Sequence, residues 1–124
     1  MMGRADRSLE ARRILVVEDE YLIAMEVEDV LRDLGAEVIG PFARLEPALR
    51  AAHREELHGA VLDVRLDGET VEEVAAALVS RGVPVLLTTG YEGAQLPPVL
   101  QHLPRLRKPF DERALRDMVE QAYR

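Results

Sequence analysis

Short apolar runs and segments of helical periodicity alternate along this sequence. The run Arg13 to Val17 is uninterrupted and rich in β-branched residues, which is typical of a strand covered on both faces. The segment from Glu20 then carries apolar residues at 23, 27, 30, 31 and 34, which form one stripe on a helix. Gly35 follows this stripe, where a left-handed helix cap is readily adopted. The pattern predicts a strand followed by a helix.

The same alternation continues to the end of the chain. Further strands are predicted at 36–40, 59–63, 83–89 and 106–108, the first of them ended by Gly40-Pro41. Further helices are predicted around 45–52, 71–78, 96–103 and 115–122, the last with Asp111 as its N-cap. Pro97, Pro98 and Pro104 limit the fourth helix to about two turns. Five strands, each followed by a helix, predict an α/β fold in which a parallel sheet carries helices on both faces.

Charge and composition narrow the class of protein. Residues 1–12 are basic and polar, so we expect a flexible N-terminal tail ahead of one domain over 13–124. No stretch approaches the roughly 18 apolar residues of a membrane span. The formal charge of −7 argues against nucleic-acid binding, and the absence of cysteine excludes a disulfide framework. We expect a cytoplasmic protein that binds neither nucleic acid nor membrane.

Polar residues stand at the predicted carboxyl ends of four strands. They are Glu18-Asp19, Asp63, Thr88-Thr89-Gly90 and Lys108-Pro109. Because parallel strands share this edge, three carboxylates, a hydroxyl and an ammonium would converge in one shallow pocket. Clustered carboxylates repel unless a cation joins them, and Mg²⁺ prefers oxygen ligands. Glu18-Asp19 alone could simply cap the first helix, but the combination favours metal-assisted transfer of a phosphoryl group to a carboxylate.

From about Arg13 to Tyr123 the sequence resembles the receiver domains of bacterial two-component response regulators. The resemblance rests on four segments in order, Ile14 to Glu20, Leu62 to Leu66, Pro84 to Gly90 and Lys108-Pro109-Phe110. Thr89-Gly90-Tyr91, the prolines after it and Leu106 to Phe110 are similar to the stand-alone subgroup called FATGUY. The resemblance implies a doubly wound, flavodoxin-like sheet of five parallel strands in the order 2-1-3-4-5, with a short fourth helix.

The resemblance also implies a role for each acidic residue. Asp63 would be the phosphoacceptor. Mg²⁺ (or Mn²⁺) would be ligated by Asp19, Asp63 and the backbone carbonyl of Arg65. Glu18 would act mostly through a metal-bound water.

The remaining family residues would recognise the phosphoryl group. Lys108 would pair with it, and the Thr89 hydroxyl would bond one of its oxygens and move inward after modification. Gly90, in the small-residue position that follows, favours Thr89 for this role. Thr88 is the alternative switch hydroxyl.

Two features depart from the family pattern. Arg105 stands three residues before the lysine, where many receivers carry an aromatic residue that turns inward with the threonine. The fourth helix is interrupted by prolines, so we expect the usual output surface to be remodelled. Arg65 and Tyr91 flank the site and are candidate modulators of the lifetime of the phosphorylated state, and Arg105 is a third candidate modulator.

The leading hypothesis is a single-domain response regulator rather than an enzyme. It would accept a phosphoryl group from a sensor histidine kinase or a histidine phosphotransfer protein and signal through contact with an unknown downstream protein. Because the chain ends within the fifth helix, no output domain is expected. A phosphate sink or shuttle in a phosphorelay is the alternative.

Three other classes fit less well. A phosphatase of the haloacid dehalogenase type needs a second acid where this chain has Arg65. A nucleotide-binding module would carry a glycine-rich phosphate motif that this sequence lacks. A pseudo-receiver is disfavoured by the complete set of acids, threonine and lysine.

Overall fold

The computed structural model describes residues 7–66, 68–90 and 96–124. The strands are β1 (Arg13–Val17), β2 (Glu37–Phe42), β3 (Gly59–Asp63), β4 (Arg65–Leu66), β5 (Glu69–Thr70), β6 (Val85–Thr89) and β7 (Arg105–Arg107). The helices are α1 (Tyr21–Asp33), α2 (Leu45–Arg54), α3 (Glu72–Ser80), α4 (Pro98–Gln101) and α5 (Glu112–Tyr123). Among the helices so described, none is long and apolar enough to cross a lipid bilayer.

Five of the strands form one parallel sheet in the order β2-β1-β3-β6-β7. Numbered within this sheet alone, the order is 2-1-3-4-5, so the predicted α/β fold and strand order are confirmed. The register pairs Asp63 with Thr88 and Thr89 with Arg107. The carboxyl ends of β3, β6 and β7 therefore lie side by side, with β1 next to β3.

Helices cover both faces of the sheet, and successive side chains of each strand point to opposite faces. Ile14 and Val16 of β1 belong to a buried cluster with residues of α1 and α5. Leu15 and Val17 belong to a second cluster with residues of α2, α3 and α4. All four are fully buried, and each contributes roughly 1.5–3 kcal/mol relative to an exposed side chain. This two-sided burial explains why β1 reads as a continuous apolar run.

The predicted helix ends follow the capping residues. Gly35 has a φ of 96° immediately after the C-cap of α1, in the left-handed conformation that the sequence predicts. Asp111 caps α5, because its carboxylate accepts a hydrogen bond from the Ala114 N–H at 2.8 Å. Both caps depend only on neighbouring residues, so the sequence suffices to place them.

The second strand is longer than expected. It continues through Gly40-Pro41 to Phe42, so the prediction that this dipeptide ends the strand is wrong. β2 is the edge of the sheet, where the missing N–H of proline requires no partner. Gly40 has a φ of 110°, and a Cβ there would lie 2.8 Å from the Val16 carbonyl oxygen. Glycine is thus required where the chain passes this close to β1.

Two further segments differ from the predicted secondary structure: the fourth helix is shorter, and an additional hairpin follows β3. The fourth helix is short as predicted, but α4 has a single turn of 4 residues rather than two turns. β4 and β5 form an antiparallel hairpin directly after Asp63 that the sequence analysis did not predict. Each of its strands has 2 residues, which is too short to show periodicity.

Residues 7–12 pack against the domain, unlike the flexible tail expected over 1–12. Leu9 is fully buried in the cluster beneath α1 and α5, and its N–H donates to the Leu34 carbonyl at 2.9 Å. Arg12 Nε donates to the Tyr123 carbonyl at 2.9 Å. One buried leucine and these hydrogen bonds fasten the segment, although a single apolar residue makes no recognisable pattern. Residues 1–6 lie outside the described residues.

Candidate functional site

Three side chains converge at the carboxyl edge of the sheet. Glu18 follows β1, Asp63 ends β3, and Lys108 follows β7. Their side chains are 3%, 7% and 11% exposed. Lys108 Nζ lies 3.1 Å from Glu18 Oε2 and 3.3 Å from Asp63 Oδ2. The carboxyl ends of the first, third and last strands of the sheet thus lie together, as the sequence predicts.

Backbone hydrogen bonds fix the positions of these groups. The Lys108 N–H donates to the Thr89 carbonyl at 2.8 Å, which ties the lysine to the end of β6. The Arg65 N–H donates to Asp63 Oδ1 at 3.3 Å, and the Glu20 N–H donates to Glu18 Oε2 at 3.1 Å. Each carboxylate is thus oriented by an amide two residues further along the chain.

The two buried carboxylates carry more negative charge than the site accommodates easily. Burial, and then the charge of Asp63, raise the pKa of Glu18 from 4.5 to about 7. Burial also raises the pKa of Asp63, although hydrogen bonding to Glu18 and the charge of Lys108 oppose this. Burial acts to lower the pKa of Lys108, but its hydrogen bond to Glu20 and the charges of Asp63 and Glu18 raise it overall. A further cation would relieve the repulsion between the carboxylates.

Glu20 is a third acid in the site that sequence reasoning missed. The carboxylate oxygens of Glu18, Glu20 and Asp63 lie within 4.8 Å of one another. Lys108 Nζ donates to Glu20 Oε1 at 2.9 Å. The available signal was the unbroken acidic run from 18 to 20, whose last member was interpreted only as the start of the first helix.

Asp19 follows Glu18 at the end of β1, and its role as a ligand stays a prediction. It is exposed and is not part of that carboxylate group within the described residues. With Glu18 it lines an adjoining pocket, whose wall includes Tyr21, Met25 and Pro41. The donors at this edge are all carboxylate oxygens, which suits a hard divalent cation such as Mg²⁺. The carboxylates of Glu18 and Asp63 are buried beside each other, where a divalent cation would offset their charges. The residues present therefore fit that ion.

The two threonines end β6 in different environments. Thr89 is buried, and its backbone is joined to Lys108 as described above. Thr88 is almost fully buried, and its Oγ1 has no hydrogen-bond partner in the described part of the chain. Among the described residues, a Cβ built on Gly90 would meet nothing within 4 Å. Thr89 stays the predicted switch hydroxyl, with Thr88 as the alternative.

The three candidate modulators do not share one environment. Arg65 is exposed on β4, directly beyond the acceptor. Arg105 is exposed on β7, and its guanidinium donates to the Gln101 carbonyl at the end of α4, at 2.8 Å. Tyr91 lies outside the described residues.

Curated proteins of similar sequence are regulators by name. No protein-family model matches the chain. Over 84 residues it is 37% identical to the phyllosphere-induced regulator PhyR of Methylorubrum extorquens, which covers 65% of this chain and 32% of PhyR. The chain spans less than half of the length of the curated relatives it matches.

Solved structures match over nearly the whole chain. The solution structure of SdrG from Sphingomonas melonis Fr1 is 35% identical and has a TM-score of 0.75, and the match covers 90% of this chain and 92% of that one. The receiver domain of the sensor histidine kinase PA1611 from Pseudomonas aeruginosa PAO1 has a TM-score of 0.77 at 24% identity, covering 91% of this chain and 98% of that one. That structure has a magnesium ion in its active-site cleft, and its similarity to this chain is one of fold.

Proposed function

This chain belongs to the family of response-regulator receiver domains, and on that premise we propose that it is a phosphoacceptor switch. Asp63 takes a phosphoryl group from a sensor histidine kinase or a histidine phosphotransfer protein. The observation that carries the proposal is the meeting of two buried carboxylates with Lys108, whose Nζ is 3.1 Å from Glu18 and 3.3 Å from Asp63. Two buried carboxylates beside one ammonium group contribute little to stability, so their burial favours a functional role.

Magnesium or manganese is the cofactor that the donor set supports. As the resemblance implies, Asp19, Asp63 and the backbone carbonyl of Arg65 would hold the ion, with Glu18 acting mostly through a metal-bound water. Of these acids, Glu18 and Asp63 belong to the group of neighbouring carboxylates, and Asp19 does not. When bound, it neutralises negative charge on the phosphoryl oxygens and so favours their approach to a carboxylate. The crowding that raises the pKa of Glu18 and of Asp63 is the physical reason for a cation at this position.

The chemical step uses Asp63 as the nucleophile. One of its carboxylate oxygens forms a bond to phosphorus while the bond from phosphorus to the donor nitrogen breaks, which leaves an acyl phosphate on Asp63. Lys108 pairs with the charge that arrives. The Thr89 hydroxyl then donates to a phosphoryl oxygen, and its movement changes a surface that a partner protein recognises.

A phosphate sink or shuttle is the second candidate, since it uses the same chemistry without an output surface. Two features favour this alternative, because both depart from the output surface that is usual in the family. α4 has a single turn, and the Arg105 guanidinium donates to the Gln101 carbonyl. A phosphatase of the haloacid dehalogenase type is disfavoured, because the residue two positions after Asp63 is the exposed Arg65.

The test is phosphorylation by a small donor. The protein is incubated with Mg²⁺ and acetyl phosphate, and its intact mass is followed with time. We expect the mass of one phosphoryl group to be added to the parent, not to Asp63→Asn, and not when EDTA removes the metal. Asp29→Asn makes the same chemical change in α1 and should behave as the parent. Equal labelling of the parent and Asp63→Asn would refute Asp63 as acceptor.

A further inference from the structure

The three carboxylates that contact Lys108 differ in their exposure to solvent. Lys108 is the only lysine in the sequence, and three carboxylates surround its ammonium group. The Glu18 and Asp63 side chains are 3% and 7% exposed, whereas that of Glu20 is 61% exposed. One of the three partners can therefore leave for solvent far more easily than the other two.

Glu20 is oriented by the lysine rather than by its own helix. It occupies the N-cap position of α1, but its side chain makes no capping hydrogen bond. Its Oε1 instead accepts a 2.9 Å hydrogen bond from Lys108 Nζ, which is 88 positions away in sequence. The side chains that usually cap a helix N-terminus are those of Ser, Thr, Asp and Asn, and glutamate is not among them. The Glu20 carboxylate makes a contact across the site in place of a local capping bond.

We propose that Glu20 is a positioning residue that holds Lys108 back before phosphorylation and is displaced when the phosphoryl group arrives on Asp63. This rests on the proposed function. A phosphoryl group offers three oxygens and adds negative charge beside Glu20, so it attracts the ammonium and repels that carboxylate. Moving Glu18 away would leave a buried charge uncompensated, whereas Glu20 is simply hydrated. Glu20 thus competes with the phosphoryl group for Lys108.

The first test measures the contact itself. Because Lys108 is the only side-chain amine, an amine-reactive ester modifies it and the chain's N-terminal amine, and peptide masses separate the two. We expect Glu20→Gln and Glu20→Ala to speed acylation of Lys108 by about two- to fivefold, the range for an exposed ion pair. Glu26→Gln removes the same charge from the same helix and should leave the rate unchanged. Far-ultraviolet circular dichroism confirms that each variant is folded.

The second test measures the competition. With Mg²⁺ and acetyl phosphate, Glu20→Gln should gain the phosphoryl mass faster than the parent by about the same factor, and Glu26→Gln should not. Acylation at the parental rate would overturn the inference, as would faster acylation with an unchanged phosphorylation rate. If the parent gains no phosphoryl mass, the proposed function fails, and the displacement of Glu20 fails with it. If the parent is labelled but Glu20→Gln matches it in both assays, only this inference fails.

Discussion

Glu18→Gln tests the charge balance of the site without any phosphodonor. The pKa of Glu18 is raised from 4.5 to about 7, first by burial and then by the charge of Asp63. The folded protein therefore holds the Glu18 proton more tightly than the unfolded chain does. By linkage, the contribution of Glu18 to the unfolding free energy falls as pH rises from about 4.5 to about 7, and is constant above that.

The size of the effect follows from the two pKa values. A change from 4.5 to about 7 corresponds to about 3 kcal/mol, at about 1.4 kcal/mol for each step of one in pKa. Glutamine is close to glutamate in shape and has no charge, and its carbonyl oxygen can still accept the Glu20 N–H. We expect Glu18→Gln to be more stable than the parent by up to about 3 kcal/mol near pH 8, and equal to it near pH 4.

Urea unfolding followed by circular dichroism measures this difference across the pH range in EDTA. Added Mg²⁺ should narrow the gap near pH 8, because an ion that binds the folded parent more tightly than the folded variant stabilises the parent more. Glu26→Gln, which removes a charge from the side of α1, controls for a general loss of acidity. A Glu18→Gln protein less stable than the parent near pH 8 would refute the reasoning. So would a difference that does not change with pH.

Two further substitutions test the packing. Gly59→Ala should lower the unfolding free energy by about 1–3 kcal/mol in urea titrations, because a Cβ there would lie 2.5 Å from the Tyr123 ring. A parental urea midpoint would show that the ring moves aside at no cost. Leu9→Ala should lower the unfolding free energy by about 2–5 kcal/mol, since Leu9 is fully buried. A change below about 0.5 kcal/mol, typical of surface positions, would contradict the packing of residues 7–12.

Local patterns account for most of the fold. The continuous apolar strands, the helical stripes, Gly35 after α1 and Asp111 before α5 each depend on residues a few positions apart, so the sequence predicts them directly. Parallel strands in turn require that their carboxyl ends share an edge. For this reason the sequence alone suffices to assign Glu18, Asp63 and Lys108 to one site.

Features that depend on distant neighbours required the tertiary structure. Whether Pro41 ends a strand depends on whether that strand lies at the edge of the sheet, and Leu9 reads as part of a tail until α1 and α5 cover it. The partnership of Glu20 with Lys108 spans 88 positions and is absent from any local pattern. Short-range periodicity and capping residues thus specify which helices and strands form. The residues that follow each strand specify which strand ends are polar. The choice among neighbouring acids is made by three-dimensional distances, because electrostatic attraction depends on separation in space.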